Sequence, residues 1–121
     1  GVDIDKDALG RTQAAIDQAV PHARCVLYKG NALDVLPANF APDTIDLLFV
    51  DDDHHRAQIE REIETFYPLM KPGGLMCFHD VLGVHEPDVW LPMVTRGGLR
   101  LVNHLHRPGQ PFGGLGVIQR A

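Results

Sequence analysis

The sequence predicts an α/β domain with a mostly parallel sheet and an antiparallel closing pair, and three observations carry that expectation. Short apolar runs alternate with stretches of helical periodicity, each run is followed by polar residues, and two late segments alternate with the two-residue period of paired strands. Alternation of this type places helices on the faces of a sheet whose strands run in one direction.

The elements follow in order. "GVDID" opens as the tail of a strand, because Val2 and Ile4 alternate with acids, and that strand is expected to begin before Gly1. From Lys6 to Val20, Ala8, Leu9, Thr12, Ile16, Ala19 and Val20 share one helical face, and Pro21 stops the run. "CVLY", Cys25 to Tyr28, is a short buried strand that ends at Lys29 and Gly30, and a loop containing Pro37 and Pro42 follows. "IDLLFV", Ile45 to Val50, has the continuous apolar character of a strand inside a parallel sheet. From Arg56 to Met70, Ile59, Ile63, Phe66, Leu69 and Met70 form the apolar face of a helix, with Glu60, Arg61, Glu62 and Glu64 on the wet face. "KPGG" breaks that helix, and "LMCFHD" supplies a buried strand over Leu75 to Phe78. A helix over Pro87 to Thr95 and the closing strands "LRLVNHLH" and "LGVIQR" complete the chain.

Length and composition set limits. A chain of 121 residues fits a single domain with a real core, yet is short for a complete enzyme of most α/β families. The net charge of −5, with no basic stripe, argues against nucleic acid as a partner. Cys25 and Cys77 both lie in apolar runs, as buried reduced thiols do, and no apolar run reaches the roughly 18 residues of a membrane span. A cytoplasmic location is the expectation.

Function is expected where the strands end. In open α/β sheets ligands bind outside the carboxyl ends of the strands. Asp3 and Asp5, then Asn31, then "DDDHH" (Asp51 to His55), then His79 and Asp80 all follow strand ends. Four strand ends delivering carboxylate, amide or imidazole groups to one edge describe a binding cleft better than a scatter of solubilising acids.

These segments resemble the class I S-adenosylmethionine-dependent methyltransferases, a Rossmann-like fold, and within them a small-molecule O-methyltransferase branch. The resemblance rests on "FVDDDHH", "YPLMKPGG" and "LMCFHD" in that order, with "GLGVIQR" as the final strand, and it covers essentially the whole chain as a single partial domain, residues 1–121. It implies that Asp3 holds the ribose hydroxyls of S-adenosylmethionine, that Asn31 and Ala32 line the adenine, and that Asp51 also belongs to the cofactor site. A carboxylate suits a vicinal diol because it accepts two hydrogen bonds. The resemblance also implies a first strand and glycine-rich turn before Gly1. "GGLG" near Gly113 is no substitute, because it leads into a strand. A sheet without that strand is expected to pair with another copy, giving a homo-oligomer.

Two roles follow for the acid and imidazole cluster. Asp51, His79 and Asp80 are the expected ligands of a divalent metal, magnesium or manganese, that would bind the acceptor hydroxyl; the plainer reading makes Asp80 a helix cap and leaves His79 in loop hydrogen bonds. His54 is the candidate general base, since an imidazole's ordinary pKa of about 6.5 suits proton uptake near neutrality. Asp52 and His55 are expected to face solvent, and Asp53 either caps the following helix or joins the metal. His104 and His106, alternating on a late strand, and Trp90 with Met93 have ordinary packing explanations. The expected acceptor is a small metabolite.

Two other classes compete. "DHH" together with "DIDKDALG" is similar to a metal-dependent phosphoesterase family of the DHH type, although "KPGG" and "FHD" stay unexplained there. A Rossmann-like module that binds without catalysis is the alternative outside the enzymes.

Overall fold

The computed structural model describes residues 1–22, 24–53, 55–83, 99–103 and 112–121. They fall into two compact units, Gly1–Asn39 and Phe40–Ala121. The expected helix over Pro87 to Thr95, the candidate base His54, and His104 and His106 lie outside the described residues.

The first unit contains β1 (Val2–Asp3), α1 (Lys6–Ala19), β2 (Tyr28–Lys29) and α2 (Ala32–Asn39). β1 and β2 pair in parallel, Val2 opposite Tyr28 and Asp3 opposite Lys29. The predicted first helix is found almost to the residue. Its start is set by Asp5, whose carboxylate accepts from the Asp7 amide at 2.8 Å and satisfies one of the donors that every helix N-terminus exposes.

Two expectations change in this unit. The strand expected over Cys25 to Tyr28 is shorter: its ladder with β1 covers Tyr28 and Lys29, Gly1 donates to the Val26 carbonyl at 2.8 Å just ahead of it, and the Val26 side chain is left exposed. The loop expected around Pro37 is α2 instead. Proline inside a helix costs about 3 kcal/mol relative to alanine. Offsetting it, the Asn31 side chain caps the helix by accepting from the Leu33 amide at 2.9 Å, and Leu36 is buried.

The second unit contains β3 (Ile45–Val50), α3 (Arg56–Phe66), a 3₁₀ turn (Tyr67–Leu69), β4 (Met70–Gly83), β5 (Leu99–Asn103) and β6 (Phe112–Gln119). The sheet order is β3-β4-β6-β5. β3 and β4 are parallel, whereas β6 runs antiparallel to both β4 and β5. The described pairings are therefore mixed, parallel and antiparallel in equal number, rather than mostly parallel. The predicted antiparallel closing pair is present, and β6 lies between β4 and β5, antiparallel to both.

The core of this unit is one stripe of α3 and alternate residues of the central strands. Ile59, Ile63 and Phe66 are buried on α3, as are Met76 and Phe78 on β4 and Ile118 on β6. On β3, Leu47 and Phe49 are 63% and 58% exposed. The "KPGG" segment proves to lie within β4, which begins at Met70 and not at Leu75. Gly73 has φ 81°, open to glycine at no steric cost. A side chain on Gly74 would meet the Lys71 and Ile45 carbonyl oxygens at 2.9 and 3.0 Å, so the close approach of β4 to the start of β3 requires glycine there.

Cys25 and Cys77 are free and half-buried, short of the full burial expected, and burial pushes the Cys77 thiol above its ordinary value. No helix among the described residues is long and apolar enough to cross a membrane.

Candidate functional site at the ends of β3 and β4

Parallel pairing aligns Val50 with Phe78, so the residues that follow, Asp51 just beyond the end of β3 and His79 still within β4, lie side by side. His79 Nδ1 stands 3.1 Å from Asp51 Oδ1 and 3.4 Å from Asp80 Oδ2. The Asp80 backbone has φ 53°, and the β4–β6 register shifts between His79 and Leu82. An irregularity of this kind beside a site re-aims a side chain, and aspartate is among the residues that tolerate the left-handed region best. It turns the Asp80 carboxylate back toward the ring of its neighbour. The Phe49 ring lies 6.3 Å from the His79 ring, tilted by 41°.

This geometry brings together the three residues expected as metal ligands. Both carboxylates address the same ring nitrogen, and when that nitrogen carries the proton it serves as donor to them. Among the described residues, no group of three His, Cys, Asp or Glu side chains is placed to hold a metal ion. The arrangement instead resembles the carboxylate–imidazole pair of acid–base catalysis. With the proton held at Nδ1, Nε2 is the basic nitrogen.

The turn beyond Asp51 is built locally. Asp53 accepts from the His55 amide at 3.0 Å and contacts the His55 ring, which places it ahead of α3. The helix cap itself is His55, whose side chain makes no capping bond. Asp52 and His55 are exposed, as expected.

Glu62 overturns its assignment to the wet face of α3. It is fully buried, in line with Ile59, Ile63 and Phe66. Its Oε1 accepts from Gln58 at 2.8 Å, while Oε2 receives no donor. Burial pushes its pKa up to about 8, reinforced by a hydrogen bond with Asp52 and by the charges of Asp52 and Asp53, against an opposing contribution from Gln58. The signal was in the spacing: Ile59, Glu62, Ile63 and Phe66 stand at i, i+3, i+4 and i+7.

In the first unit, Asp3 and Asn31 follow the same end of the parallel pair β1 and β2. Asp3 Oδ1 accepts from the Asp5 amide at 2.8 Å, which fixes the carboxylate while leaving acceptor capacity for a diol. Asn31 Oδ1 accepts from the Leu33 amide at 2.9 Å, which fixes the side chain and leaves one lone pair and the amide N–H groups for a ligand. Ala32 is the first residue of α2.

Comparison with known proteins agrees with the element order. The model of a family described as a methyltransferase domain matches residues 1–81. Among solved structures, a candidate methyltransferase from Streptococcus mutans in complex with SAH superposes with a TM-score of 0.73 at 12% identity, over 99% of this chain and 74% of that one. A candidate O-methyltransferase from Klebsiella pneumoniae gives 0.71 at 17% identity, over 99% and 60%. A candidate exported protein from Bordetella parapertussis gives 0.65 at 14% identity, over 99% and 52%, so the chain spans about half the length of that match. No curated protein matches the chain. A family match across two-thirds of the sequence leaves the phosphoesterase reading without support, and the chain belongs to the methyltransferase domain family.

Proposed function

We propose that this domain serves S-adenosylmethionine-dependent methyl transfer to a hydroxyl oxygen of a small metabolite. The observation that carries the reading is the Asp51–His79 pair, formed where β3 ends beside β4, within the segment that matches the methyltransferase family. Transfer forms an oxygen–carbon bond, breaks the sulfonium carbon–sulfur bond and leaves the electron pair on sulfur. The hydroxyl must lose its proton as this happens. His79 Nε2 accepts that proton, and Asp51 holds the ring in the required tautomer and steadies its positive charge. His54 remains a second candidate for the same task.

The cofactor reading assigns Asp3 to the ribose diol and Asn31 with Ala32 to the adenine, with Asp51 also on the cofactor side. The residue types fit: a carboxylate held at one oxygen by a backbone amide, beside a helix start that an asparagine caps. Calorimetric titration with S-adenosylhomocysteine tests this. Asp3→Ala is expected to weaken binding by about 1–3 kcal/mol through loss of charge-assisted hydrogen bonds; equal affinity in the variant would remove Asp3 from the cofactor site.

Self-association belongs to the same proposal. Among the described pairings β3 has a partner only in β4, and Leu47 and Phe49 on it are exposed, a combination that favours a second copy. Light scattering is expected to report a dimer or larger species, and a monodisperse monomer at every concentration would count against it.

A further inference from the structure

We propose that Arg120 is a positioning residue: it fastens the excursion that "KPGG" makes in β4, and that excursion sets the register in which His79 reaches Asp51. Between the Ile45–Met70 and Leu47–Leu75 pairs β3 advances two residues while β4 advances five, so Lys71 to Gly74 take up three residues that β3 does not match. An unbroken ladder continued from Ile45–Met70 would bring Asp51 beside Met76 and leave His79 three residues further on. Because three is odd, it would also exchange the faces of the strand and turn the buried Met76 and Phe78 out of the core. The excursion is what makes the carboxylate and the imidazole neighbours.

Arg120 holds the excursion at both ends. Ahead of it, the guanidinium Nη1 donates to the Pro68 carbonyl at 2.8 Å and contacts the Met70 carbonyl and the Asp43 carboxylate, and the guanidinium carbon lies 5.8 Å from the centre of the Tyr67 ring. Behind it, the Arg120 carbonyl accepts from the Gly73 amide at 2.9 Å and the Arg120 amide donates to the Gly74 carbonyl at 2.9 Å. The Gln119 side chain donates to the Gly73 carbonyl at 3.0 Å. On the other flank, Lys71 Nζ donates to both Asp46 carboxylate oxygens at 2.7 and 2.8 Å. Exposure decides which flank governs. The Lys71 and Asp46 side chains are 45% and 77% exposed, and an ion pair in that setting contributes little. The Arg120 side chain is only 22% exposed, and its planar fork serves carbonyl and carboxylate acceptors together, which a lysine ammonium does less well.

The meaning for catalysis rests on the acid–base role proposed for Asp51 and His79, whereas the register can be read without turnover. In magnetic resonance spectra of the purified chain, Arg120→Ala is expected to speed hydrogen exchange at the Gly73 amide by roughly ten- to a hundredfold relative to the amides of α3, the equivalent of one hydrogen bond to a charged group. It should also weaken the Overhauser contacts between Val50 and Phe78 and displace the ring-nitrogen resonances of His79. Arg120→Lys, which keeps the charge and loses the fork, should show the same changes in smaller measure, and Asp46→Asn should show none of them. Ile63→Val serves as the control for lost stability alone: it should weaken the fold and leave the His79 resonances in place. Val50–Phe78 contacts and His79 resonances that are unchanged in Arg120→Ala, or that move as far in Asp46→Asn or Ile63→Val, would overturn the proposal. If Arg120→Ala does not fold, Arg120→Lys decides it by the same readouts. Turnover enters none of them, so failure of the acid–base role, read from His79→Ala, is distinct from failure of the register role.

Discussion

Replacing His79 by alanine is expected to lower methyl-transfer turnover by roughly 10²–10⁴, the usual contribution of a positioned acid–base group, with little change in the KM for the cofactor. The expectation rests on the proposed pairing of His79 Nδ1 with Asp51 Oδ1 at 3.1 Å: with Nδ1 as donor to Asp51, Nε2 is the base. Asp51→Asn is the sharper companion. An asparagine amide that turns its nitrogen toward Nδ1 favours the opposite tautomer, so turnover should fall although the side chain keeps its shape. Steady-state kinetics on the two variants, with methyl release followed as S-adenosylhomocysteine, make the comparison. Wild-type turnover in His79→Ala would transfer the role to His54, whose alanine variant then becomes the one to measure.

Phe66→Ala is expected to destabilise the second unit by about 3–5 kcal/mol, the range for removing a large aromatic from a packed core. Phe66 is almost wholly buried in the stripe that α3 shares with Ile59 and Ile63, and β4 contributes Met76 and Phe78 to the same core. Deleting the ring loses its transfer free energy and leaves a cavity that those neighbours fill only in part. Phe49→Ala is the control. That ring is 58% exposed, so its removal forfeits much less buried surface and should shift the urea midpoint far less. Equal shifts in the two variants would mean that the core has been placed on the wrong residues.

The two predictions differ in how far the sequence alone supports them. The packing of Phe66 was legible because its spacing from Ile59 and Ile63 is helical, and periodicity reports burial directly. The same rule located α1, and it contained the burial of Glu62, which was missed because charge was weighed above position; the continuous apolar run located β3 but not the exposure of Leu47 and Phe49 on it. α2 escaped for a related reason. Pro37 signals a break by its chemistry, yet the Asn31 cap and the burial of Leu36 outweigh it, and neither is visible without the folded chain.

By itself the sequence indicated the family and, α2 apart, the order of the described elements, since both depend on local pattern: "VDDDHH", "PLMKPGG" and "FHD" in succession, with acids after each apolar run. Only the tertiary structure decided what those acids do to one another. Whether Asp51 and Asp80 take a metal or address one imidazole nitrogen depends on a strand register, on a left-handed backbone at Asp80 and on separations of 3.1 and 3.4 Å. The full burial of Glu62 with Oε2 unpaired likewise appears only once α3 has packed. Side-chain identity is a one-dimensional property. Protonation and coordination depend on distance and solvent exclusion, which exist only once β3, β4 and α3 have packed together.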